Sequence, residues 1–567
     1  MWRTARFVVL LSLLAIPAFA STRAERMDEF LSAYNKLRQF NGAALVAQNG
    51  KVILEKGYGL ANMEWQIPNT PDTKFRLGSI TKQFTSMVIM QLANEGKMSL
   101  DEKITTYLPD YRKDTGDKVT VRNLLSHTSG IPSYTSLPGF IQNQARDPYT
   151  VSAFVKKYTS GDLEFEPGSK FSYDNSGYFL LGAIIERVTG KPYEEALKQR
   201  IFDPLGMKDS GYDRSSRVIA KRAAGYVLTP DGYENAPYLD MSIPYAAGSL
   251  YSTVEDLYKW DRALYTDKLL PPDLKKTMIT PVLNDYAFGW AINTFKLDDN
   301  KTEVHTVRHG GGINGFNTQI IRMPDTQDLV VLLDNTSRGD KLDDLARGVI
   351  DILHDLEPPA PKRSLADELM KSLKSSDVQH AIARYHELKA NEPNKFDLRE
   401  SELNSLGYRL LLQLGRTADA IEIFKLNVEA HPNSWNVYDS LGEAYAAQGN
   451  RELAVRNYRE SLELNPKNTN AVEALKRLEA PAAKIDSTML DKYVGTYELE
   501  PGFNLTITRE GDKLFGQATR QSKFEMAADS PTEFHMDAFK ASITFAADGS
   551  SLTLHQNGRD HPGKRIR

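Results

Sequence analysis

Two residues that can do chemistry together, Ser79 and Lys82, stand three positions apart. They lie in residues 75–96, where apolar residues recur at the three-to-four spacing of a helix with one buried face, up to a stop near Gly96. Residues three apart share a helix face, so the lysine amine can approach the serine oxygen. A desolvated lysine can take the hydroxyl proton and activate the serine as a nucleophile. Taken alone, the pair is more typical of a helix N-cap followed by a solvated charge, because the pattern arises by chance in long chains.

Two polar motifs follow downstream. Tyr173-Asp174-Asn175 lies in a Gly/Pro-rich loop between predicted helices, and His309-Gly310-Gly311 lies at the start of a predicted strand. Each motif by itself is typical of a turn. Their order after the Ser79 and Lys82 pair indicates one composite site.

The elements around these motifs predict an α+β domain over residues 21–357. Asn49-Gly50 separates two apolar runs, which is a hairpin signal. Residues 150–210 are mostly helical in pattern, and residues 278–335 return to strands. Strands at both ends with helices between them predict one antiparallel sheet with an inserted helical region.

A second unit, residues 358–482, begins at a proline-rich linker and is predicted to be helical. Leu411, Gly415, Ala420, Phe424 and Pro432 recur 34 residues later as Tyr445, Gly449, Ala454, Tyr458 and Pro466, and Ala381, Tyr385 and Pro393 keep the spacing of an earlier degenerate unit. This spacing resembles tetratricopeptide repeats. The resemblance implies a protein partner that binds through the repeats, the alternative being a rigid spacer.

The third unit, residues 483–567, alternates polar and apolar residues with a period of two. Gly511-Asp512 and Asp548-Gly549 mark turns between short strands. The pattern predicts a small antiparallel β-barrel or sandwich. No residue in this unit suggests site chemistry.

The first twenty residues predict a secretory signal. Arg3 and Arg6 precede an apolar run at residues 7–17, and Ala18-Phe19-Ala20 has the small-x-small pattern of a cleavage site. The run is too short to span a bilayer. We therefore expect cleavage after Ala20, export to the periplasm or the medium, and no membrane insertion after cleavage.

Composition excludes several other classes of function. The 567 residues are 41% hydrophobic and 25% charged with a formal net charge of -4, which gives no electrostatic attraction to nucleic acid. The chain contains no cysteine, which excludes disulfides and a thiol nucleophile. His305 and His309 are four apart on a glycine-rich strand, and H-E-x-x-H is missing, so we predict no metal and no other cofactor.

The three motifs in this order resemble the serine β-lactamase and penicillin-binding protein superfamily, in its class C β-lactamase, DD-carboxypeptidase and esterase branch. That branch carries S-x-x-K, then Y-x-N, then a Lys or His followed by a small residue and Gly. The resemblance covers residues 28–353 and extends to the strings FRLGSITKQFT, LLSHTSGIPSY, FSYDNSGYFLLGAIIE, YAFGW and HGGGINGF. It implies a serine hydrolase that works through an acyl-enzyme without a cofactor.

The resemblance also implies a role for each site residue. Ser79 is the expected nucleophile, and Lys82 and Tyr173 share the general-base work, with coupled titrations that leave the choice between them open. Asn175, His309 and Gly311 are expected to bind substrate. The backbone N–H groups of Ser79 and Gly312 are the expected oxyanion hole.

His309 departs from the pattern of this branch, whose β-lactamases usually have lysine followed by a hydroxyl residue. A neutral imidazole followed by Gly310 would bind a substrate carboxylate less well. We therefore expect an exported hydrolase that acts on small esters or peptides and turns over β-lactams poorly. The alternatives are a β-lactamase or DD-carboxypeptidase acting on β-lactams or cell-wall peptides, and a catalytically idle binding protein that acts through the repeats.

Overall fold

A computed structural model covers most of the chain. It describes residues 21–137, 140, 144–229, 232–297, 299, 301–479, 487–500, 502–519, 523–528, 530–536, 541–556 and 559–567. The predicted signal, residues 1–20, lies outside the described residues, as do residues 480–486 at the boundary between the second and third units. Across the ranges described, no helix combines the length and the apolar character needed to cross a membrane.

The first unit is built from runs of strands and runs of helices that follow one another along the chain. Its strands are β1 (Gly42–Gln48), β2 (Lys51–Tyr58), β3 (Leu60–Asn62), β4 (Ile67–Pro68), β5 (Phe75–Arg76), β6 (Gly211–Tyr212), β7 (Tyr226–Thr229), β8 (Gly232–Asn235), β9 (Leu250–Ser252), β10 (Ala291–Lys296), β11 (Glu303–Ile313), β12 (Phe316–Met323) and β13 (Asp328–Asp334). Its helices are α1 (Arg23–Lys36), α2 (Thr81–Asn94), α3 (Ile104–Tyr107), α4 (Lys113–Gly116), α5 (Val121–Leu125), α6 (Val151–Tyr158), α7 (Asn175–Thr189), α8 (Tyr193–Leu197), α9 (Asp203–Leu205), α10 (Tyr245–Gly248), α11 (Val254–Ala263), α12 (Pro272–Met278) and α13 (Gly339–Leu353).

Six of these strands form an antiparallel sheet in the order β10-β11-β12-β13-β1-β2, which joins the two ends of the unit as predicted. Alternate residues of a strand face opposite sides of a sheet. Ala43 and Leu45 of β1 therefore join the core shared with the inserted helices, whereas Ala44 and Val46 join the core under α1 and α13. Asn49 and Gly50 both have positive φ in the turn from β1 to β2, and the predicted hairpin is confirmed.

The helix predicted to begin at Ser79 differs from its prediction in two respects. Ser79 lies in a short 3-10 turn, Gly78–Ile80, and α2 begins only at Thr81. Every residue from Thr81 to Leu92 is buried, so the prediction of a single buried face was wrong. The inserted helices cover the other face, where polar side chains find partners inside the protein; Thr85, for example, donates to the Ala246 carbonyl oxygen at 2.7 Å.

The second unit consists of antiparallel helices, with one short parallel strand pair. It contains β14 (Arg363–Ser364), α14 (Leu365–Ser375), α15 (Val378–Asn391), β15 (Phe396–Asp397), α16 (Glu400–Tyr408), α17 (Thr417–Ala430), α18 (Trp435–Gln448), α19 (Arg451–Leu464) and α20 (Thr469–Leu478). Ion pairs hold it against α13 of the first unit. The buried Lys341 Nζ lies 2.7 Å from Glu402 and 3.1 Å from Asp397, and Arg399 pairs with Asp344 at 2.6 Å.

One repeat carries an extra residue that the 34-residue spacing did not predict. Gly407 faces the Phe424 ring just as Gly442 faces the Tyr458 ring, and these two glycines are 35 residues apart. A π-helical turn at Arg409–Gln413 takes up the extra residue. Leu410, rather than the predicted Leu411, is consequently the fully buried counterpart of Tyr445.

The third unit is a closed antiparallel barrel, which decides between the two predicted forms. It contains α21 (Ser487–Tyr493) and the strands β16 (Gly495–Glu500), β17 (Phe503–Glu510), β18 (Lys513–Ala518), β19 (Phe524–Ala528), β20 (Glu533–Met536), β21 (Ala541–Phe545), β22 (Ser551–Gln556) and β23 (Arg559–Arg565). The strand β23 pairs with both β22 and β16 and so closes the barrel. Closure leaves no unpaired sheet edge.

Replacing Gly407 by alanine is expected to destabilise the repeats by about 1–2 kcal/mol. The added methyl would lie 2.4 Å from the Phe424 ring, and this overlap outweighs a gain in helix propensity of about 1 kcal/mol. Hydrogen–deuterium exchange of the full chain should show faster exchange in α16 and α17. In the matched control Gly442→Ala the methyl would lie 3.2 Å from the Tyr458 ring, and exchange should change little. Equal exchange in the two variants would contradict the tighter contact of Gly407 with its ring.

Candidate active site

Lys82 lies at the centre of the predicted site, with its side chain fully buried. Its Nζ lies 3.1 Å from Ser79 Oγ, 2.8 Å from Asn175 Oδ1 and 2.9 Å from the Ala247 carbonyl oxygen. The structure therefore brings together the first two motifs, which are about ninety positions apart in the chain. Ala247 was missed by the sequence analysis, because a backbone carbonyl acceptor has no signature in a sequence.

The surroundings of Lys82 favour the neutral amine. Burial lowers the pKa of Lys82 from 10.5 to about 7, and the Asp174 carboxylate acts in the opposite direction. The oxygens of Asn175 and Ala247 can only accept hydrogen bonds, so a neutral amine directs its two N–H bonds to them. Its lone pair is then left for the hydroxyl of Ser79. This arrangement can take up the serine proton as the oxygen attacks a carbonyl.

Tyr173 is the second candidate base. Its hydroxyl is hydrogen-bonded to Ser79, and its ring centroid lies 4.9 Å from Lys82 Nζ. Burial raises the pKa of Tyr173 above its ordinary value of 10, although the Ser79 hydrogen bond lowers it and the side chain is 40% exposed, so water limits the rise. The phenol is thus protonated at neutral pH. The directions of the two pKa shifts favour Lys82 as the base of the resting site, a choice that the sequence left open.

Asp174 and His127 hold the second motif in place. The prediction that Asn175 lies in a loop was wrong, because Asp174 caps α7 by accepting from the Gly177 N–H and Asn175 is the first helical residue. The Asp174 N–H donates to His127 Nδ1 at 3.2 Å, and the His127 and Tyr173 ring centroids are 4.3 Å apart. His127 is fully buried and has a positive φ of 56°. It therefore positions Tyr173 by its hydrogen bond to the neighbouring Asp174 and by contact with the Tyr173 ring.

The loop before α6 fixes the orientation of Asn175. The Asn175 N–H donates to Ser133 Oγ at 3.0 Å, and its Nδ2 donates to Thr135 Oγ1 at 3.1 Å. The amide oxygen must then face Lys82, which donates to it. One amide hydrogen of Nδ2 is left over for a substrate.

The turn that carries Ser79 lies directly against β11 of the third motif. A Cβ on Gly78 would lie 2.9 Å from the Gly312 nitrogen, and a Cβ on Gly311 would lie 1.9 Å from the Leu77 carbonyl oxygen. Only glycine permits so close an approach of two backbones. The contact places the backbones of Ser79 and Gly312, the predicted oxyanion donors, side by side.

His309 lies deep in β11 and not at the start of the strand as predicted, because pairing with β10 extends β11 back to Glu303. Its imidazole is buried, with Nε2 2.9 Å from the Tyr286 hydroxyl and Nδ1 2.6 Å from the Gly310 carbonyl oxygen. Burial lowers the pKa of His309 to about 3, and Lys82, which is charged at such an acidic pH, adds to this effect. The ring is therefore neutral at pH 7, as expected from the sequence.

Sequence reasoning gave no role to His127, Thr135 or Tyr286. His127 and Tyr286 lie in the strings LLSHTSGIPSY and YAFGW, which marked the family resemblance, so their signal was present but carried no assignment. Thr135 lies in a loop without any readable pattern. Only the folded chain shows that these three side chains meet the motifs.

Comparison with known proteins agrees with this geometry. Residues 27–354 match the family described as Beta-lactamase. The chain belongs to the beta-lactamase family. Residues 435–468 match the family described as Tetratricopeptide repeat, and residues 479–561 match a domain of unknown function, DUF3471. As a member of the beta-lactamase family, the protein is a serine hydrolase.

Individual relatives support the family assignment. PbpX of Bacillus subtilis (strain 168), which is named for penicillin binding, is 30% identical over 58% of this chain and 78% of its own length. The D-amino acid amidase from Ochrobactrum anthropi SV3 is 26% identical with a TM-score of 0.52, over 59% of this chain and 99% of the amidase. The octameric penicillin-binding protein homologue from Pyrococcus abyssi is 21% identical with a TM-score of 0.51, and this likeness of fold extends over 95% of this chain and 99% of that one.

The variant Asp174→Asn is expected to move the acid limb of the pH profile of kcat/KM to lower pH. The base must be neutral, so activity rises with pH through the pKa of Lys82 near 7, and the Asp174 carboxylate raises that pKa. Asparagine also caps helices well, so α7 should stay in place. The profile is measured with a 4-nitrophenyl ester, and the exposed Asp110→Asn serves as control. A limb that stays fixed or moves to higher pH would refute Lys82 as the base.

Proposed function

We propose that the protein is an exported hydrolase that transfers the acyl group of a small ester or amide to Ser79 and then to water. The observation that carries this proposal is the buried Lys82 amine, which has two carbonyl acceptors for its N–H bonds and Ser79 Oγ at 3.1 Å for its lone pair. The signal-like residues 1–20 support export.

The reaction follows from these positions. Ser79 Oγ attacks the substrate carbonyl carbon while its proton passes to Lys82, and the carbonyl oxygen becomes an oxyanion beside the N–H groups of Ser79 and Gly312. Loss of one such donor costs roughly 3 kcal/mol in hydrolases. The carbon–leaving group bond then breaks, and the proton reaches the leaving group from Lys82 through the hydroxyl of Tyr173. Water repeats these steps on the acyl-enzyme and releases the acid.

The third motif limits the substrates. His309 is neutral and both of its ring nitrogens are engaged inside the protein, so it presents no cation to a substrate carboxylate. Burial of an unpaired carboxylate is costly. We call the side of the site formed by His309 its wall. Substrates whose leaving group carries no charge fit this wall best. The likeness to a D-amino acid amidase supports amides as one substrate class.

Two alternative functions can be distinguished from this one by experiment. The relative named for penicillin binding favours a β-lactamase or DD-carboxypeptidase that acts on β-lactams or cell-wall peptides. The tetratricopeptide match favours a partner protein at the repeats, and in the extreme case an idle scaffold. An idle scaffold does not need the arrangement of Ser79, Lys82, Tyr173 and Asn175 around one buried amine, and this argues for the enzyme.

Labelling separates the enzyme from the scaffold. A fluorophosphonate probe should give a single covalent adduct on Ser79 by mass spectrometry, and the adduct should be absent in Ser79→Ala. The control Ser152→Ala removes an exposed hydroxyl of α6 and keeps Ser79, so it should still be labelled. Absence of any adduct, together with no hydrolysis of nitrophenyl esters or D-amino-acid amides, would favour the scaffold.

A substrate panel tests the preference for uncharged leaving groups. The purified mature protein should hydrolyse nitrophenyl esters and D-phenylalanine amide more efficiently than nitrocefin or a peptide ending in D-Ala-D-Ala, both of which carry a carboxylate. The physical reason is the neutral His309 at the wall of the site. Values of kcat/KM measured side by side decide the matter. Nitrocefin turnover at the efficiency of resistance enzymes would establish the β-lactamase alternative.

A further inference from the structure

Tyr286 is a buried tyrosine that no motif names, and it is held rigidly beside the site. It follows Asn284 and Asp285, both at positive φ, and its backbone N–H donates to the Leu283 carbonyl oxygen at 3.0 Å. Its ring lies between those of His127 and Phe171, with centroid distances of 4.8 and 5.6 Å. The turn and the neighbouring rings therefore fix the direction of its hydroxyl.

The Gly310 carbonyl oxygen and the hydroxyl of Tyr286 together fix which nitrogen of His309 carries the proton. The Gly310 carbonyl oxygen only accepts, so His309 Nδ1 at 2.6 Å must carry a hydrogen and donate it. In a neutral imidazole Nε2 is then an acceptor, and Tyr286 donates to it at 2.9 Å. Tyr178, the other hydroxyl beside Tyr286, gives its own hydrogen to the Leu125 carbonyl oxygen at 2.8 Å, so it does not donate to Tyr286.

We infer that Tyr286 is a positioning residue that locks His309 as a neutral imidazole protonated on Nδ1, and thereby makes the site reject substrates with a carboxylate on the leaving group. The inference deepens the proposed function and rests on it for the reaction. It adds a residue and its role: burial keeps the imidazole neutral, and a fixed phenol occupies the nitrogen that would otherwise be free to meet a substrate carboxylate.

The charges around this wall do not compensate for the neutral ring. Arg308 precedes His309 in β11 and therefore faces the other side of the sheet, where it pairs with Asp343 at 2.9 Å. Lys82 already has three oxygen partners. A carboxylate that entered beside His309 would lose its water without gaining a charged donor, which is unfavourable.

The test compares Tyr286→Phe with the wild type on two esters of the same acyl group, the 4-nitrophenyl ester and the 3-carboxy-4-nitrophenyl ester. Phenylalanine keeps the ring contacts and removes the donor, so Nε2 can take a proton and bind the carboxylate. The ratio of kcat/KM for the carboxylated over the plain ester should rise roughly tenfold, the worth of one charge-assisted hydrogen bond. His309→Lys, which introduces a cation directly, should move the ratio in the same direction if Tyr286→Phe does not fold.

A spectroscopic measurement tests the lock without relying on activity. Nitrogen-15 NMR of histidine-labelled full-length protein, with the His309 signals assigned by their loss in His309→Gln, should show Nδ1 protonated and Nε2 bare between pH 6 and 8. In Tyr286→Phe the Nε2-protonated forms should appear. Tyr438→Phe removes a hydroxyl in the repeats that donates to the Pro432 carbonyl oxygen, and it should change neither the spectrum nor the ester ratio.

The outcomes separate the two claims. A wild-type His309 protonated on Nε2, or an unchanged ester ratio in a Tyr286→Phe enzyme that still reacts with fluorophosphonate at Ser79, would overturn the inference. A wild type that neither reacts at Ser79 nor hydrolyses either ester would overturn the proposed function instead. The NMR result would still decide whether Tyr286 holds the tautomer.

Discussion

The burial of one amine, Lys82 Nζ, is the constraint on which the site depends. The fall in its pKa from 10.5 to about 7 corresponds to roughly 5 kcal/mol in favour of the neutral form. Such a shift requires surroundings without water, and α2 meets this requirement by being buried on every side. The stability that is lost by burying an amine thus favours the neutral form of Lys82, which the proposed chemistry needs.

The remaining parts of the site follow from how that amine is satisfied. Asn175 faces Lys82 because α7 starts at that residue, and α7 starts there because Asp174 caps it. His127 stabilises the same segment by accepting a hydrogen bond from the Asp174 N–H. On the opposite side, glycines let β11 approach the Ser79 turn at backbone distance. The sheet can offer β11 at this place because β1 and β13 join the two ends of the unit.

The sequence predicted the elements whose signals are local. The Asn49-Gly50 hairpin and the helical repeats depend on neighbours in the chain or on a fixed spacing, and both are recovered in the structure. The errors concern long-range packing. The polar residues of α2 indicated an exposed face, but the inserted helices bury them; the extra residue in the first repeat is hidden until Gly407 is seen against Phe424. Barrel closure likewise depends on β23 reaching β16.

The sequence by itself determined the family, the nucleophile motif and the neutral character of His309, because each of these follows from residue identity and order. Tertiary structure alone decided which groups share a proton and how they are held. Ala247 contacts the site only through its backbone carbonyl, and Thr135 lies in a loop without a sequence pattern. Tyr286 stands 23 residues before His309, yet its hydroxyl reaches that imidazole. A hydrogen bond or a pKa depends on distance and burial, and both arise only when remote segments pack together.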